Sequence, residues 1–448
     1  MSDHNGITFN AYFNKSSTEE IPKSTFLYKT SKANWIKFDK TLKSNVEGKG
    51  ITVQAIESYD QPGTLNRQVL VLMDAISDAC RMAIPPTEKI CPWWNDKLEN
   101  LKKDVLTLGE RYKEEIAAAK IQNWKEFCSS QGKDTVWSPV LRVLKATQKS
   151  PTETLQFNTV GINTEIDPPF TRTEISKIIA SIDTKKSPGR DHFTVESLSE
   201  NFTALYNACL RIGCFPILWK VARIKVIPKP GKEDCGNISS YRPIGLLPVF
   251  GNVLEKLLIK RVTWHFSTKG ELNFNQYGFT QQKSTEDAMF DAVNHIKKAN
   301  KEGLYACLIS LNIKGAFDNA WWPYLKMQLA KKGCPLNIYK VFKDYLSDRM
   351  VETIYAGAWA QKHSNKGCIQ GSACGPILWN IVLDELLNVK FDSNVRIQAF
   401  SDDVLVIITH EDMAELQKII KDNLSVMTVA GYPIIIWTPF DGSRFLCI

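Results

Sequence analysis

The chain lacks any apolar run long enough to cross a bilayer, for which about 18 consecutive residues would be needed, so no membrane contact is expected. Its opening residues, MSDHNGITFNAYFNK, contain no basic stretch followed by an apolar segment, which argues against secretion. The eleven cysteines form no CxxC pair and no Cys/His cluster with metal-ligand spacing. Structural zinc and a disulfide framework are therefore not expected, and free thiols in a reducing, intracellular compartment are. A strong excess of one sign of charge is missing as well: 56 Lys and Arg against 48 Asp and Glu leave a net charge of +8. That balance permits a polyanionic partner without requiring one. No segment repeats with a period of roughly 20 to 50 residues, so repeat architectures are excluded.

What remains is globular in composition: 448 residues, 44% apolar and 23% charged, enough for two or three cores. Trp35 and Phe38, three apart in a polar stretch, suggest one packed helical face. From Asn95, the spacing of Leu98, Leu101, Val105, Tyr112, Ile116, Trp124 and Phe127 among Lys and Glu predicts a long amphipathic helix or helix pair. Residues 1–149 are thus read as a helical region, and the Thr-, Asn- and Pro-bearing stretch 150–169 as a linker. A second domain, 170–408, opens with Thr171 and Glu174 at capping-box spacing, before Ile175, Ile178, Ile179 and Ile182. That helix should stop in KKSPGRD, residues 185–191. An apolar helix around Phe250, Val253, Leu254, Leu257 and Leu258, and another capped by Ser284, alternate with β-prone runs at 221–227, 305–313, 351–355 and 395–408. The class is α+β.

Within RIQAFSDDVLVII, residues 396–408, two β-prone runs flank Ser401, Asp402 and Asp403, and a tight hairpin would put adjacent acids at its tip. Like-charge repulsion makes such a pair costly unless a cation offsets it. Taken alone, the pair reads more readily as turn-forming aspartates. Two further blocks change the balance: YACLISLNIKGAFDNAWW (305–322), an apolar strand followed by a loop and helix, and GCIQGSACGPILWN (367–380).

In this order the three blocks resemble the palm motifs of LINE-type (non-LTR) retrotransposon reverse transcriptases, especially the jockey-like branch of arthropod elements. IKVIPKPGKEDCGNISSYRPIG (224–245) resembles the family's fingers block, NQYGFTQQKSTEDA (275–288) the segment that follows it, KKSPGRD the family's first block, and CPWWNDKL (91–98) its connector between endonuclease and polymerase. The resemblance implies a right-hand fingers and palm preceded by that helical connector. It also implies an RNA template, a DNA primer, dNTP substrates, and two Mg ions about 4 Å apart, with encounters in cytoplasm and nucleus.

By resemblance the catalytic metal ligands are Asp402, Asp403 and an acid at position 312, but the chain has Asn312. An amide offers one neutral oxygen and a donor NH2, so it cannot supply a carboxylate's charge or bridging geometry. Asp318 is no substitute, because the family has an acid there in addition. Phe317 corresponds to the aromatic beneath the nucleotide sugar, which favours deoxynucleotides, and Lys229 and Arg242 to fingers contacts with the triphosphate. Lys229 lies in the stretch 219–232, which has five basic residues and no acid. Gln370 and Gly371 correspond to a loop lying against template and nucleotide. Residues 409–448 read as a tail shortened relative to the family, without its thumb. Polymerase activity is expected to be lost; the alternative function is a non-catalytic nucleic-acid-binding remnant.

Overall fold

The computed structural model describes residues 32–85, 163–181, 199–228, 241–313, 316–355, 358–420 and 444–447, all in one compact unit. The predicted helix beyond Asn95, the connector block 91–98, Lys229 and the KKSPGRD segment lie outside the described residues.

Helices α1 (Trp35–Gly48), α2 (Val53–Glu57) and α3 (Pro62–Ala83) come first. Phe38, Leu42 and Val46 share the buried face of α1, while Trp35 stays half-exposed against the edge of Phe38. Helices α4 (Arg172–Ala180) and α5 (Ser199–Ile212) follow. The predicted capping box forms: Thr171 Oγ1 accepts from the Glu174 N–H at 3.2 Å, and the Glu174 carboxylate accepts from the Thr171 N–H at 3.0 Å. The first three helices belong to the same compact unit as everything after residue 163, and Arg211 of α5 donates to the Tyr59 carbonyl at 2.7 Å.

A single 3₁₀ turn (Ile217–Lys220) leads into β1 (Val221–Pro228) and β2 (Tyr241–Leu246), then α6 (Val249–Lys269) and α7 (Thr285–Lys301). The second predicted box also forms, between Ser284 and Asp287 at the start of α7. After β3 (Tyr305–Asn312) come α8 (Ala316–Asn319), α9 (Trp322–Lys331), α10 (Leu336–Tyr345), β4 (Arg349–Tyr355) and β5 (Ala358–Ser364). Helix α11 (Gly375–Leu387) and strands β6 (Val395–Phe400), β7 (Asp403–His410) and β8 (Arg444–Cys447) complete the described chain.

Two four-stranded sheets result. The first, ordered β2-β1-β4-β5, is mixed, since β1 runs parallel to β4, and its inner face is Ala222, Ile224, Leu247 and Val351 with Ile369 packed on it. The second, ordered β6-β7-β3-β8, is antiparallel throughout. Helix α7 lies on it through the small residues Ala288, Ala292 and Ala299, which bring the helix close to β3 and β6. An aromatic core of Phe202, Tyr206, Phe215, Trp219 and Phe250 ties α5 to α6, with Phe202 and Phe250 stacked at 4.5 Å.

Two expectations need correction. Residues 163–169, read as part of a linker, are stapled to the fold: Asp167 is buried, its carboxylate accepts from Arg261 at 2.7 Å and meets His265 at 2.7 Å, and Asn337 exchanges two hydrogen bonds with its backbone. Polar composition hid this, because the partners are roughly 90 to 170 residues distant in sequence. Within residues 409–448, read as a tail, the described residues 409–410 and 444–447 belong to the second sheet. Strand β7 continues to His410, and β8 covers the edge of β3 that β7 leaves open, satisfying backbone groups that would otherwise be unpaired.

Candidate active site

The acid hairpin is as tight as the sequence suggested. Phe400 pairs with Asp403, so Ser401 and Asp402 alone make the turn, and Ser401 takes φ +62°. That backbone is held from three sides. Trp379 of α11 donates its indole N–H to the Ser401 carbonyl at 3.0 Å. Asn275 and Tyr277 bond to Ala399 on both its sides, at 2.9 and 2.8 Å. Gly278 then presses against the turn so closely that a Cβ there would lie 2.0 Å from the Ser401 nitrogen. Asn380 fixes the Gly278 carbonyl at 2.9 Å.

Across the sheet, Asn312 is the register partner of Asp403. The structure therefore brings positions 312, 402 and 403 to one end of the β3–β7 pair. Burial, and then the neighbouring charge of Asp402, push the Asp403 carboxyl above the usual carboxylate range. A divalent cation would relieve that repulsion, so the two acids suit magnesium in donor type. Among the described residues no group of three His, Cys, Asp or Glu side chains is placed to hold a metal ion.

Phe317, in α8 just beyond β3, packs its half-buried ring between Trp379 (5.8 Å) and Phe279 (6.1 Å). The 367–374 loop is tied to the same helix: the Cys368 N–H donates to the Phe317 carbonyl at 2.6 Å, and the Gly367 N–H to the Ala320 carbonyl at 2.7 Å. Gly367 takes φ +90°, and a Cβ there would lie 2.9 Å from the Asp318 carbonyl oxygen. Gln370 is exposed, and its carbonyl accepts from the Gly245 N–H at 2.7 Å. Gly371 takes φ +112°, and the Gly245 carbonyl oxygen lies 2.4 Å from where a Cβ would stand. Glycine at 371 is thus required by the fold itself, joining the loop to β2, where Arg242 is exposed three residues before Gly245.

Sequence reasoning missed the group that shapes this loop. Glu255, 1% exposed in the otherwise apolar middle of α6, accepts from Tyr345 Oη (2.9 Å), Ser372 Oγ (2.7 Å), and the Ala373 and Cys374 N–H groups (2.8 and 3.3 Å). The guanidinium of Arg349, 2% exposed, lies 4.1 Å over the Tyr345 ring, and its three nitrogens have no hydrogen-bond partner among the described residues. Tyr345 therefore separates a buried anion from a buried cation. The available signal was a single Glu inside an apolar helical face, a placement that demands partners.

A family model described as reverse transcriptase (RNA-dependent DNA polymerase) matches residues 227–434, the stretch containing the acid hairpin and both loops. The chain carries a reverse transcriptase domain of the non-LTR retrotransposon kind. It is 26% identical to a putative 115 kDa protein in the type-1 retrotransposable element R1DM of Drosophila melanogaster, over 93% of this chain and 46% of that protein. It is 33% identical to the RNA-directed DNA polymerase from mobile element jockey of the same species, over 53% of this chain and 27% of that one. The chain thus spans less than half the length of these curated relatives. Among solved structures, an apo telomerase from Candida tropicalis aligns over 51% of this chain and 50% of its own, at 13% identity and a TM-score of 0.41. By their own strand pairing, the described residues have the expected α+β form, a mixed sheet and an antiparallel sheet backed by helices.

Proposed function

We propose that this reverse transcriptase domain holds an RNA template and a DNA primer beside the Asp402–Asp403 turn but incorporates deoxynucleotides poorly or not at all, because position 312 is an amide. The observation that carries this reading is the register pairing of Asn312 with Asp403. A carboxylate at position 312 would add a third anionic ligand to the acid pair; the amide gives neither charge nor a bridging oxygen. Removing one preorganised electrostatic group from a catalytic centre commonly costs about 100- to 1000-fold in rate.

In this reading Phe317 lies under the sugar of the incoming dNTP, and Arg242, with Lys229, meets its phosphates through charge-assisted hydrogen bonds. Gln370 and Gly371 border the template and nucleotide. Magnesium, when bound, would neutralise phosphate charge at Asp402 and Asp403. The domain would work where RNA and chromatin are both reached, in cytoplasm and nucleus.

Primer extension on an RNA template with Mg and dNTPs tests this, comparing the unaltered chain, Asn312→Asp, and Asn312→Asp combined with Asp402→Ala. Extension by Asn312→Asp that disappears with Asp402→Ala is the expected result. Extension by the unaltered chain that depends on Asp402 would overturn the claim of lost chemistry. Salt-sensitive RNA binding with no extension by any form would favour a purely binding role.

A further inference from the structure

Phe279 belongs to the NQYGFTQQKSTEDA block, to which neither the sheet core nor the acids assign any task. Four non-glycine residues among those described have positive φ: Phe279 (56°), Gln282 (63°), Asp348 (49°) and Ser401 (62°). Three are polar turn residues. An aromatic side chain in the left-handed region is a true outlier, because its Cβ crowds the following carbonyl. Such strain persists where the surroundings over-determine it.

Here they do. Gly278 is wedged against Ser401, its carbonyl is held by Asn380, and its N–H donates to the Gln276 side chain at 3.1 Å. The residue after it has its backbone direction dictated by the acid turn. Core packing does not repay the strain, since the ring remains 46% exposed. Its aromatic contact is edge-on to Phe317, which in turn tilts against Trp379, the donor to the Ser401 carbonyl. The arrangement is an open aromatic ledge beside two carboxylates, immobilised through the same backbone that carries them.

We infer that Phe279 stacks on a nucleobase held next to the Asp402–Asp403 turn, with Phe317 as the neighbouring wall. A ring face accepts any base, so this contact contributes affinity and position without sequence preference. The inference rests on the reading that this domain binds template and primer. The base can come from the first unpaired template nucleotide or from a free nucleoside triphosphate, and the two sources are separable.

The test uses the full chain with a DNA primer annealed to RNA whose first unpaired base is 2-aminopurine, and in a second arm 2-aminopurine nucleoside triphosphate alone. Binding by the unaltered chain should quench the fluorophore. Phe279→Tyr should keep the quench, whereas Phe279→Leu and Phe279→Ala should weaken binding by about 5- to 100-fold, the range for losing one base–aromatic stack. The dependence of affinity on salt should not change, since no charge is removed. Quenching of the primed template alone assigns the base to the template, and quenching of the triphosphate alone assigns it to the substrate. Phe279→Gly should melt above Phe279→Ala, both having lost the ring and only glycine accepting the left-handed backbone freely.

If Phe279→Leu binds and quenches like the unaltered chain, the ring is packing rather than stacking and the inference fails. If the unaltered chain binds well but without quenching, the inference fails while the template reading stands. If it does not bind at all, both fail.

Discussion

Glu255→Gln removes a charge from a position closed to solvent while keeping shape and volume. In the folded chain this carboxylate accepts four hydrogen bonds, from Tyr345, Ser372, Ala373 and Cys374. Glutamine retains one acceptor oxygen, and its NH2 group turns toward donors that need an acceptor. Hydrogen bonds to a charged group contribute about 1.5 to 3 kcal/mol each, and a buried donor left without an acceptor costs about 1 to 3 kcal/mol. Arg349 adds to the loss, because breaking a buried charge pair from one side costs about 3 to 5 kcal/mol. Glu255 and Arg349 do not touch directly, so the lower end applies, and the expected destabilisation is about 3 kcal/mol. Urea unfolding followed by tryptophan fluorescence measures it, since Trp219 and Trp379 are both buried in the described fold. Arg349→Met supplies the other arm of a double-mutant cycle. If Tyr345 couples the two charges, the double variant should be less destabilised than the two single losses added together, by 1 kcal/mol or more on the usual scale of about 0.5 to 3 kcal/mol for residues in one network. A Glu255→Gln change below about 0.5 kcal/mol, or strict additivity in the cycle, would refute the reasoning.

Three further outcomes follow from the geometry. Gly278→Ala places a methyl 2.0 Å from the Ser401 nitrogen and should destabilise the domain by about 1 to 3 kcal/mol, read as a fall in melting temperature with weaker primer–template binding; an unchanged melting curve would deny the close contact. Asp403→Asn should stabilise the chain by a few tenths of a kcal/mol above the carboxylate range, solvent screening keeping the effect small. Because the folded-state carboxyl is raised, ionisation works against folding as pH climbs past its ordinary value of 3.8, so the gain should vanish below that pH; equal melting of both forms at pH 7 would deny it. Glu174 behaves oppositely. Burial raises it, but hydrogen bonds from Arg261 and Thr171 outweigh that and hold it at about 2, so its contribution is present above 4.5 and lost as pH falls toward 2. Glu174→Gln should flatten acid unfolding in that window, and an identical acid profile would contradict the assignment.

Much of the domain could be read from the chain alone, because the signals are local. Capping at Thr171 and Ser284 depends on residues three apart, the strands at 221–228 and 305–312 on runs of β-prone side chains, and the acid turn on two apolar runs closing around Ser401 and Asp402. Spacing and residue type were enough, since each element's free energy is set largely within one turn of helix or one hairpin. The amide at position 312 is likewise legible as a chemical change in the sequence itself.

Tertiary structure decided what depends on partners far apart. Asn312 opposes Asp403 because β3 pairs with β7 across some 90 residues in one particular register, and a one-residue slip would turn every side chain to the other face. Glu255 meets Ser372 across 117 residues, Asn337 reaches Asp167 across 170, and the left-handed Phe279 is fixed by a turn more than 120 residues later. No periodicity encodes such contacts, because a buried polar group or a strained backbone is stabilised by whatever the packed chain brings to it, and only the completed fold determines what that is.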